Sequence, residues 1–280
     1  MGIFALFETG KIKPKWTFTA KGAIWRILFS GNGMIVGEDR DEETKSLSFF
    51  FLDESTGRVV SHGAKYGDGW WSGIEAVDGN TVYIHGYASP DMPIHRGITA
   101  VDLFSGSVLW ETPDVKFVRV EEGTIVAVRE YFEKKVFYRL DPAQGTVLEE
   151  TENMSGPGNG SGIVIDERRY RFPETLQWGD DGVSRIIREH LRPEELAGGV
   201  EYIEHDDMIL FNYHKRNRKS TQDRMVLDNK FKIVSKANEK MIFSETLDTD
   251  AAYPVPDAFF FHDEMMFYVK NRSILTAIRL

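Results

Sequence analysis

Residues Gly97 to Trp110 read GITAVDLFSGSVLW, two apolar runs joined by a turn. The first run, Ile98 to Val101, is rich in β-branched residues and alternates too weakly for a one-sided sheet, so it predicts an interior strand. Asp102 can accept hydrogen bonds from backbone N–H groups of its own turn, and Gly106 can adopt the positive φ that closes a hairpin. Val108 to Trp110 is then the partner strand.

Weaker copies of this turn recur along the chain. The four clear copies are Glu8 to Lys11, Asp53 to Gly57, Asp102 to Gly106 and Asp141 to Gly145. Their glycines are 47, 49 and 39 residues apart, close to the roughly 40 to 50 residues of one four-stranded propeller blade. A fifth, degenerate copy is predicted at Val226 to Phe231, where Asn229 replaces the glycine.

Further strand-like runs accompany these turns. The predicted strands are residues 24–29, 34–37, 47–52, 73–77, 81–87, 116–120, 124–129, 135–140, 257–261, 265–270 and 273–278. We therefore predict an all-β fold, a single β-propeller over residues 1–280 with four-stranded blades. Six blades fit the spacing, with five or seven as alternatives. We expect the N-terminal strand to close the ring by pairing with the C-terminal blade, because closure removes exposed sheet edges.

The segment from residue 151 to 199 breaks the pattern and is predicted to be a degenerate blade or an insertion. It begins with a Gly/Ser/Asn-rich loop at Ser155 to Gly162, followed by a short strand at Ile163 to Ile165. Residues Asp181 to Leu191 place apolar side chains at helical spacing, and Pro193 would stop the helix.

Composition excludes several classes of function. The chain has 280 residues, 34 basic and 44 acidic, and its net charge of −10 argues against general binding to nucleic acid or anionic membranes. It has no cysteine, so disulfides, thiolate nucleophiles and cysteine-ligated metals are excluded. The N-terminus lacks the features of a secretory signal, and no apolar run approaches the ~20 residues of a membrane span. We expect a cytoplasmic monomer.

Two segments, Thr99 to Trp110 and Arg139 to Leu148, resemble the repeat of pyrroloquinoline-quinone-type propellers. The chain is also similar in layout to DUF4905, a bacterial family of unknown function. The features that carry this resemblance are Trp25-Arg26, an insert at Tyr170 to Leu191, and Tyr202. The first resemblance implies blades, but quinoprotein dehydrogenases are much longer and hold their cofactor under a vicinal disulfide. Because this chain lacks cysteine, we expect no quinone and no other cofactor. The repeated aspartates are predicted to cap turns rather than to act as catalytic acids.

Strand directions in such blades place the chemically varied loops on one rim, and we expect any ligand there. The predicted binding residues are Trp70, Trp71, His95, Arg96, Tyr213, His214 and Arg216. The tryptophan pair suits an aromatic platform, although one of them is expected to fill the space between blades. Residues 213–219 form a basic cluster that suits a phosphate or an acidic partner, or else a solvated loop.

The sequence contains no catalytic constellation. Residues 39–43 are acidic but lack the spacing of a calcium loop, so a solvated loop is expected. The seven histidines are scattered, so no metal site is predicted unless distant histidines converge in three dimensions. Neither a dinucleotide fingerprint nor a G-x-S-x-G elbow is present.

Two hypotheses of function follow. The favoured one is a non-catalytic binding or scaffold propeller that presents a loop-rich face to a protein or a small ligand. The alternative is a hydrolase or lyase with acid/base residues at the channel mouth. It requires a pocket with two carboxylates, or a histidine–carboxylate pair, whose pKa values are perturbed.

Overall fold

The structure, a computed structural model, describes residues 12–89, 92–152, 167–192, 196–221 and 223–280. The chain divides into two compact units. We call Ala20–Ile165 the middle unit, and Met1–Thr19 together with Asp166–Leu280 the terminal unit. Each unit is described by itself.

The chain begins with β1 (Trp16–Thr19), which belongs to the terminal unit. The middle unit follows with β2 (Ala23–Phe29), β3 (Met34–Asp41), β4 (Ser46–Asp53), β5 (Val59–Ala64), β6 (Ser72–Asp78), β7 (Thr81–Ser89), β8 (Met92–Asp102), β9 (Val108–Thr112), β10 (Lys116–Glu121), β11 (Thr124–Glu130), β12 (Lys135–Leu140) and β13 (Val147–Thr151). They form three four-stranded antiparallel sheets in chain order, β2 to β5, β6 to β9 and β10 to β13. These are the meanders predicted for propeller blades, with strand bounds close to those expected from the sequence.

The described part of the terminal unit forms two sheets and one α-helix. Its remaining strands are β14 (Tyr170–Arg171), β15 (Glu174–Thr175), β16 (Leu196–His205), β17 (Met208–Arg216), β18 (Leu227–Ser235), β19 (Met241–Ala251), β20 (Phe259–His262), β21 (Met265–Lys270) and β22 (Ile274–Arg279). Strands β16 to β19 form one meander, and the two-residue strand β15 adds to its edge. In the other sheet β1 pairs antiparallel with β22, from Trp16 opposite Ala277 to Thr19 opposite Ile274. The predicted pairing of the N-terminal strand with the C-terminal blade is confirmed.

The all-β fold class with four-stranded antiparallel blades is therefore confirmed. The described residues form five sheets, which corresponds to the lower alternative in the predicted blade number. No helix among the described residues is long and apolar enough to cross a membrane.

The predicted Asp-to-Gly turns share one geometry. In the turn after β8, Asp102 Oδ1 accepts a hydrogen bond from the Ser105 backbone N–H at 2.7 Å, and the Gly106 N–H donates to the Asp102 carbonyl at 2.8 Å. The turns that start at Asp53 and Asp141 repeat both contacts. The closing glycine has φ of +70° in the Asp102 turn. These aspartates cap turns, as predicted, and the copy at Glu8 to Lys11 lies outside the described residues.

The fifth, degenerate copy of the turn was predicted wrongly. Asn229 lies inside β18, paired with His214. The turn of this blade follows the strand instead, where the Glu239 N–H donates to the Ser235 carbonyl at 2.9 Å and Glu239 has φ of +58°. A serine and a left-handed glutamate replace Asp and Gly here, so the sequence carries no turn signal.

Trp110, the tryptophan of the opening stretch, joins two blades of the middle unit. Its indole N–H donates to the Pro142 carbonyl at 2.8 Å. Its ring lies against Gly145, where a Cβ atom would approach within 2.6 Å of ring atoms. The same ring borders a core that contains Tyr83 and Phe117. The turn of one blade therefore packs on the last strand of the blade before it.

Helix α1 (Gly182–Glu189) confirms the helix predicted near residues 181–191. Asp181 caps its N-terminus by accepting from the Ser184 N–H at 2.9 Å. The apolar face of the helix, with Ile186 and Ile187, is buried against strands of the terminal unit. The predicted loop at 155–162, the strand at 163–165 and Pro193 lie outside the described residues.

Candidate functional site

The predicted binding residues fall into both units. Trp70, Trp71, His95 and Arg96 belong to the middle unit, whereas Tyr213, His214 and Arg216 belong to the terminal unit. The long loops expected at these positions are largely extended strand. His95 and Arg96 lie in β8, the three residues of the terminal unit lie in β17, and the two tryptophans end a short 3-10 turn at Gly69–Trp71.

Two irregularities of the β6 to β9 sheet gather polar side chains on one face. The register of β6 against β7 shifts between Ile74 and Ala76, so Glu75 is the extra residue of a bulge. The register of β7 against β8 shifts between Ile84 and Gly86, next to His85. A bulge redirects the side chain that it contains. Glu75 and His85 are thereby brought to His95, which pairs opposite Tyr87.

These three residues form what we call the His–His–Glu cluster. The Nδ1 atom of His95 lies 2.7 Å from Oε2 of Glu75. The imidazole rings of His85 and His95 are stacked, with centroids 3.5 Å apart and planes 17° from parallel. Glu75 and His85 are buried, while a quarter of the His95 side chain is exposed. The cluster is therefore open to solvent through His95.

Burial keeps His85 uncharged at neutral pH. Burial first, and then the neighbouring His95, lower the pKa of this imidazole to about 4. The Nδ1 atom of His85 lies 3.2 Å from the Gly86 carbonyl oxygen, a contact that places a proton on Nδ1. Its Nε2 atom faces Gly73, where a Cβ atom would come within 2.7 Å of it. Glycine at this position leaves the space that the ring occupies.

A buried ion pair, Glu38 with Arg40, lies beside the cluster near Gly73. Glu38 accepts from the Ile74 N–H at 2.7 Å and from Arg40 Nε at 2.8 Å, and the two side chains are almost fully buried. Arg40 also donates to the carbonyl oxygens of Trp70 and Ser72. The Glu38–Arg40 pair therefore fixes both the start of β6 and the 3-10 turn before it.

The two predicted tryptophans have different surroundings. The half-buried Trp70 ring packs against the guanidinium of Arg40 at 5.2 Å and the ammonium of Lys45 at 4.9 Å. Trp71 is 41% exposed, and its ring meets Tyr87 edge to face at 6.2 Å. Tyr87 in turn contacts both histidine rings of the cluster. Trp71 and Tyr87 thus extend an aromatic surface from the cluster toward solvent.

A cleft of about 520 Å³ begins at His95, and we call it the His95 cleft. Its lining residues are Ala88, Ile94, His95, Arg96, Asp114, Val115, Lys116, Val128, Arg129, Glu130 and Tyr131. Asp114 forms ion pairs with Arg96 at 2.9 Å and with Arg129 at 2.7 Å. The hydrogen bond from Arg96, together with the charge of Arg129, holds the pKa of Asp114 below its usual value. Two guanidinium groups share one carboxylate, which leaves a local excess of positive charge.

The terminal-unit residues are not gathered into one exposed site. Tyr213 is 7% exposed and belongs to the apolar cluster beneath α1. His214 is buried, its Nε2 accepts from the Val255 N–H at 3.1 Å, and burial lowers its pKa. Arg216 is exposed and lines a separate cleft with Arg218.

The acidic segment 39–43 stabilises backbone turns. Asp39 is buried and accepts from the backbone N–H groups of Lys21 and Gly22 at 2.9 and 2.7 Å. Asp41 accepts from the N–H groups of Glu43 and Thr44 at 2.9 and 3.1 Å. Hydrogen bonds from Thr44 and Glu43 lower the pKa of Asp41. Backbone donors thus already occupy these two carboxylates.

Four residues of the cluster and the cleft are not among the predicted binding residues: Glu75, His85, Asp114 and Arg129. Glu75 and His85 are ten residues apart and meet through the pairing of β6 with β7, which a sequence pattern does not reveal. A charged residue inside an apolar strand, as in Gly73-Ile74-Glu75-Ala76-Val77, was the available signal.

No curated protein matches the chain. Similar solved structures include a europium-containing methanol dehydrogenase, at 10% identity over 94% of this chain and 52% of that chain, with a TM-score of 0.34. Another is the β-propeller domain of the trilobed protease from Pyrococcus furiosus, at 11% identity over 92% and 72% of the two chains, with a TM-score of 0.33.

A third is an uncharacterized protein from Listeria monocytogenes EGD-e, at 9% identity over 91% and 94% of the two chains, with a TM-score of 0.33. The chain spans about half the length of the methanol dehydrogenase. These TM-scores are too low to support an argument, so the fold is assigned from the strand pairing of this chain. Residues 29–110, which include the His–His–Glu cluster and the opening stretch, match the model of the domain of unknown function DUF4905.

Proposed function

We propose that this protein binds a small anionic ligand in the His95 cleft. The observation that supports this most directly is the sharing of Asp114 by Arg96 and Arg129. Lys116 adds a further cation to the lining, and Glu130, the other carboxylate among the described lining residues, is paired with Lys135 at 2.7 Å. Guanidinium groups in a fork geometry recognise carboxylates and phosphates.

The shape of the cleft agrees with a small ligand. Its volume of about 520 Å³ lies within the range of small-molecule sites. Ile94, Val115 and Val128 provide apolar wall, and Tyr131 stands at the edge with its pKa lowered by hydrogen bonds from Arg129 and Tyr138. A compact organic acid or phosphate ester would satisfy both the charge and the apolar surface. We further propose that the protein is monomeric and that it acts in the cytoplasm, the latter in keeping with its lack of cysteine.

Titration calorimetry with succinate, citrate, inorganic phosphate and adenosine monophosphate tests the proposal. We expect saturable binding of at least one of these anions that weakens as salt is added. Arg96→Ala and Arg129→Ala should each weaken it about tenfold or more, since a hydrogen bond to a charged group contributes about 1.5–3 kcal/mol. Arg58→Ala removes an exposed arginine of the same unit outside the cleft and should change nothing. Absence of binding by all four anions, or binding that both cleft variants retain, would contradict the proposal.

A second candidate is the hydrolase or lyase. The specific observation in its favour is the His95–Glu75 pair at 2.7 Å, which opens onto the cleft and adjoins a histidine of perturbed pKa. A histidine oriented by a carboxylate is the usual general base. This candidate predicts turnover of an anionic ester or hydroxy acid that both Glu75→Gln and His95→Gln abolish. Ligand binding without turnover would favour the binding protein.

A further inference from the structure

The His–His–Glu cluster contains the side chains of a metal site. Glu75, His85 and His95 each offer one ligand atom, and these atoms lie within 4.8 Å of one another. We propose that the cluster binds a divalent first-row transition metal ion, with Zn²⁺ as the reference ion, and leaves a coordination position open toward the His95 cleft. This inference is independent of the anion-binding proposal.

The distances suit such an ion. Zn²⁺ binds nitrogen and carboxylate oxygen at about 2.0–2.2 Å, so two tetrahedral ligand atoms are about 3.4 Å apart. The His95–Glu75 separation of 2.7 Å and the upper bound of 4.8 Å bracket this value. An ion between His95 and Glu75 would replace their hydrogen bond. The two imidazoles are stacked, so they must rotate before a lone pair of each ring can point to one metal ion. This rotation changes side-chain torsions and leaves the strands in place.

The donor set selects the class of metal. Two imidazoles and one carboxylate are typical of zinc and of non-haem iron sites, whereas calcium and magnesium prefer oxygen ligands alone. Glu75 is paired with a histidine, while its neighbour Glu38 is held by Arg40. The Glu75 carboxylate can therefore bind a metal ion by giving up its contact with His95. The buried Arg40 keeps its partner Glu38.

The surrounding structure positions the strands that carry the ligands. Both irregularities lie in β-ladders that continue on either side of them, and Gly73 provides the space for His85. Many metal-binding histidines donate a hydrogen bond through the ring nitrogen that does not bind the metal, and the contact from His85 Nδ1 to the Gly86 carbonyl oxygen is of this kind. His95 is the exposed member of the cluster and also lines the cleft. The fourth position is thereby directed toward the cleft, where water or a ligand oxygen can bind.

Three variants test the proposal. Glu75→Gln and His95→Gln remove a ligand while keeping the size and a hydrogen-bonding group of the side chain. His62→Gln is the matched control, because His62 also pairs with a buried carboxylate of the middle unit, Asp39 at 3.1 Å, outside the cluster. Circular dichroism and thermal unfolding of each purified variant establish that it is folded. Zn²⁺ affinity is measured by competition with a chelating dye, and Co²⁺ is added as a spectroscopic probe of coordination.

We expect the wild type to bind one Zn²⁺ at the cluster and to give visible Co²⁺ bands of a four- or five-coordinate site. Glu75→Gln and His95→Gln should each weaken Zn²⁺ binding by at least about tenfold, the lower bound for removing even an outer-shell partner. Both should also lose the Co²⁺ bands, and His62→Gln should keep them. Absence of saturable binding in the wild type overturns the proposal, as does equal affinity in all folded variants. Anion titrations are repeated on chelator-treated protein, which carries no metal ion. Failure of the metal proposal can then be distinguished from failure of the anion-binding proposal.

Discussion

The Nδ1 atom of His95 in β8 lies 2.7 Å from Oε2 of Glu75 in β6, although β7 lies between these two strands. In a regular sheet, the backbones of two strands separated by a third are about 9–10 Å apart. The bulge at Glu75 and the register shift beside His85 redirect side chains, and the two long side chains meet across β7. The cluster is therefore a consequence of two local irregularities, and its chemistry depends on their being kept.

Gly73→Ala should displace His85. The new Cβ atom would come within 2.7 Å of His85 Nε2 and 3.1 Å of Glu38 Oε1. We expect a loss of about 1–3 kcal/mol in the free energy of unfolding, as for other overpacked sites, together with weaker Zn²⁺ binding. Gly31→Ala is the control, since its Cβ meets nothing within 4 Å. Urea denaturation measures both, and equal stability of the two variants would argue against the close packing around His85.

Gly145→Ala tests the contact between blades at Trp110. Gly145 and Gly123 have nearly equal φ values of +68° and +73°, so alanine carries similar backbone strain at both positions. At Gly145 the Cβ atom would also come within 2.6 Å of the Trp110 ring, whereas at Gly123 it meets nothing within 4 Å. Gly145→Ala should therefore be the less stable variant by about 1–3 kcal/mol. Comparable unfolding midpoints for the two variants would show that the ring moves aside at little cost.

Arg40→Ala should be among the most destabilising single changes in the middle unit. It leaves the carboxylate of Glu38 buried without its cation, a loss of about 3–5 kcal/mol for such pairs. It also removes the donors to the carbonyls of Trp70 and Ser72. Arg58→Ala, at an exposed position, should stay within about 0.5 kcal/mol of the wild type. Chemical denaturation distinguishes the two, and Glu38→Gln combined with Arg40→Ala should recover part of the loss.

The helix cap gives a pH-dependent prediction. Hydrogen bonds from the backbone N–H and the hydroxyl of Ser184 hold the pKa of Asp181 below its usual value. A carboxylate whose pKa is depressed by folding stabilises the protein above its unfolded pKa, and that contribution is lost as the pH falls through the folded value. Asp181→Ala should therefore lower the melting temperature at neutral pH, and the difference from the wild type should shrink in acid. Asp180→Ala, at the exposed neighbouring position outside the cap, is the matched control for the loss of a carboxylate.

Much of the fold is predictable from the sequence because it is local. The turns that begin at Asp53, Asp102 and Asp141 each combine an acceptor side chain with a glycine four residues later, and the strands around them keep their apolar runs. The turn at Ser235 to Glu239 has the same backbone hydrogen bond with different residues. Sequence patterns identify the turns that use preferred residues and miss the one that does not.

The candidate site is less predictable because it depends on register. His95 and Arg96 were among the predicted binding residues, but their partners Glu75 and Asp114 come from other strands. The sheet register places His95 opposite Tyr87 and makes Glu75 the extra residue of a bulge. This register is set only when the strands assemble, so the sequence of one strand does not reveal it. Tyr213 was predicted to bind a ligand because it begins a basic cluster, but it is buried. Its packing beneath α1 is a tertiary contact that the local sequence does not reveal.

Crystallographic anomalous scattering at the zinc absorption edge, from crystals of the full chain grown with Zn²⁺, tests the central claim most directly. We predict a peak at bonding distance, about 2.0–2.2 Å, from ligand atoms of Glu75, His85 and His95, with the two imidazoles rotated out of their stack. An intact His95–Glu75 hydrogen bond, with no anomalous peak between the three side chains at saturating Zn²⁺, would contradict it.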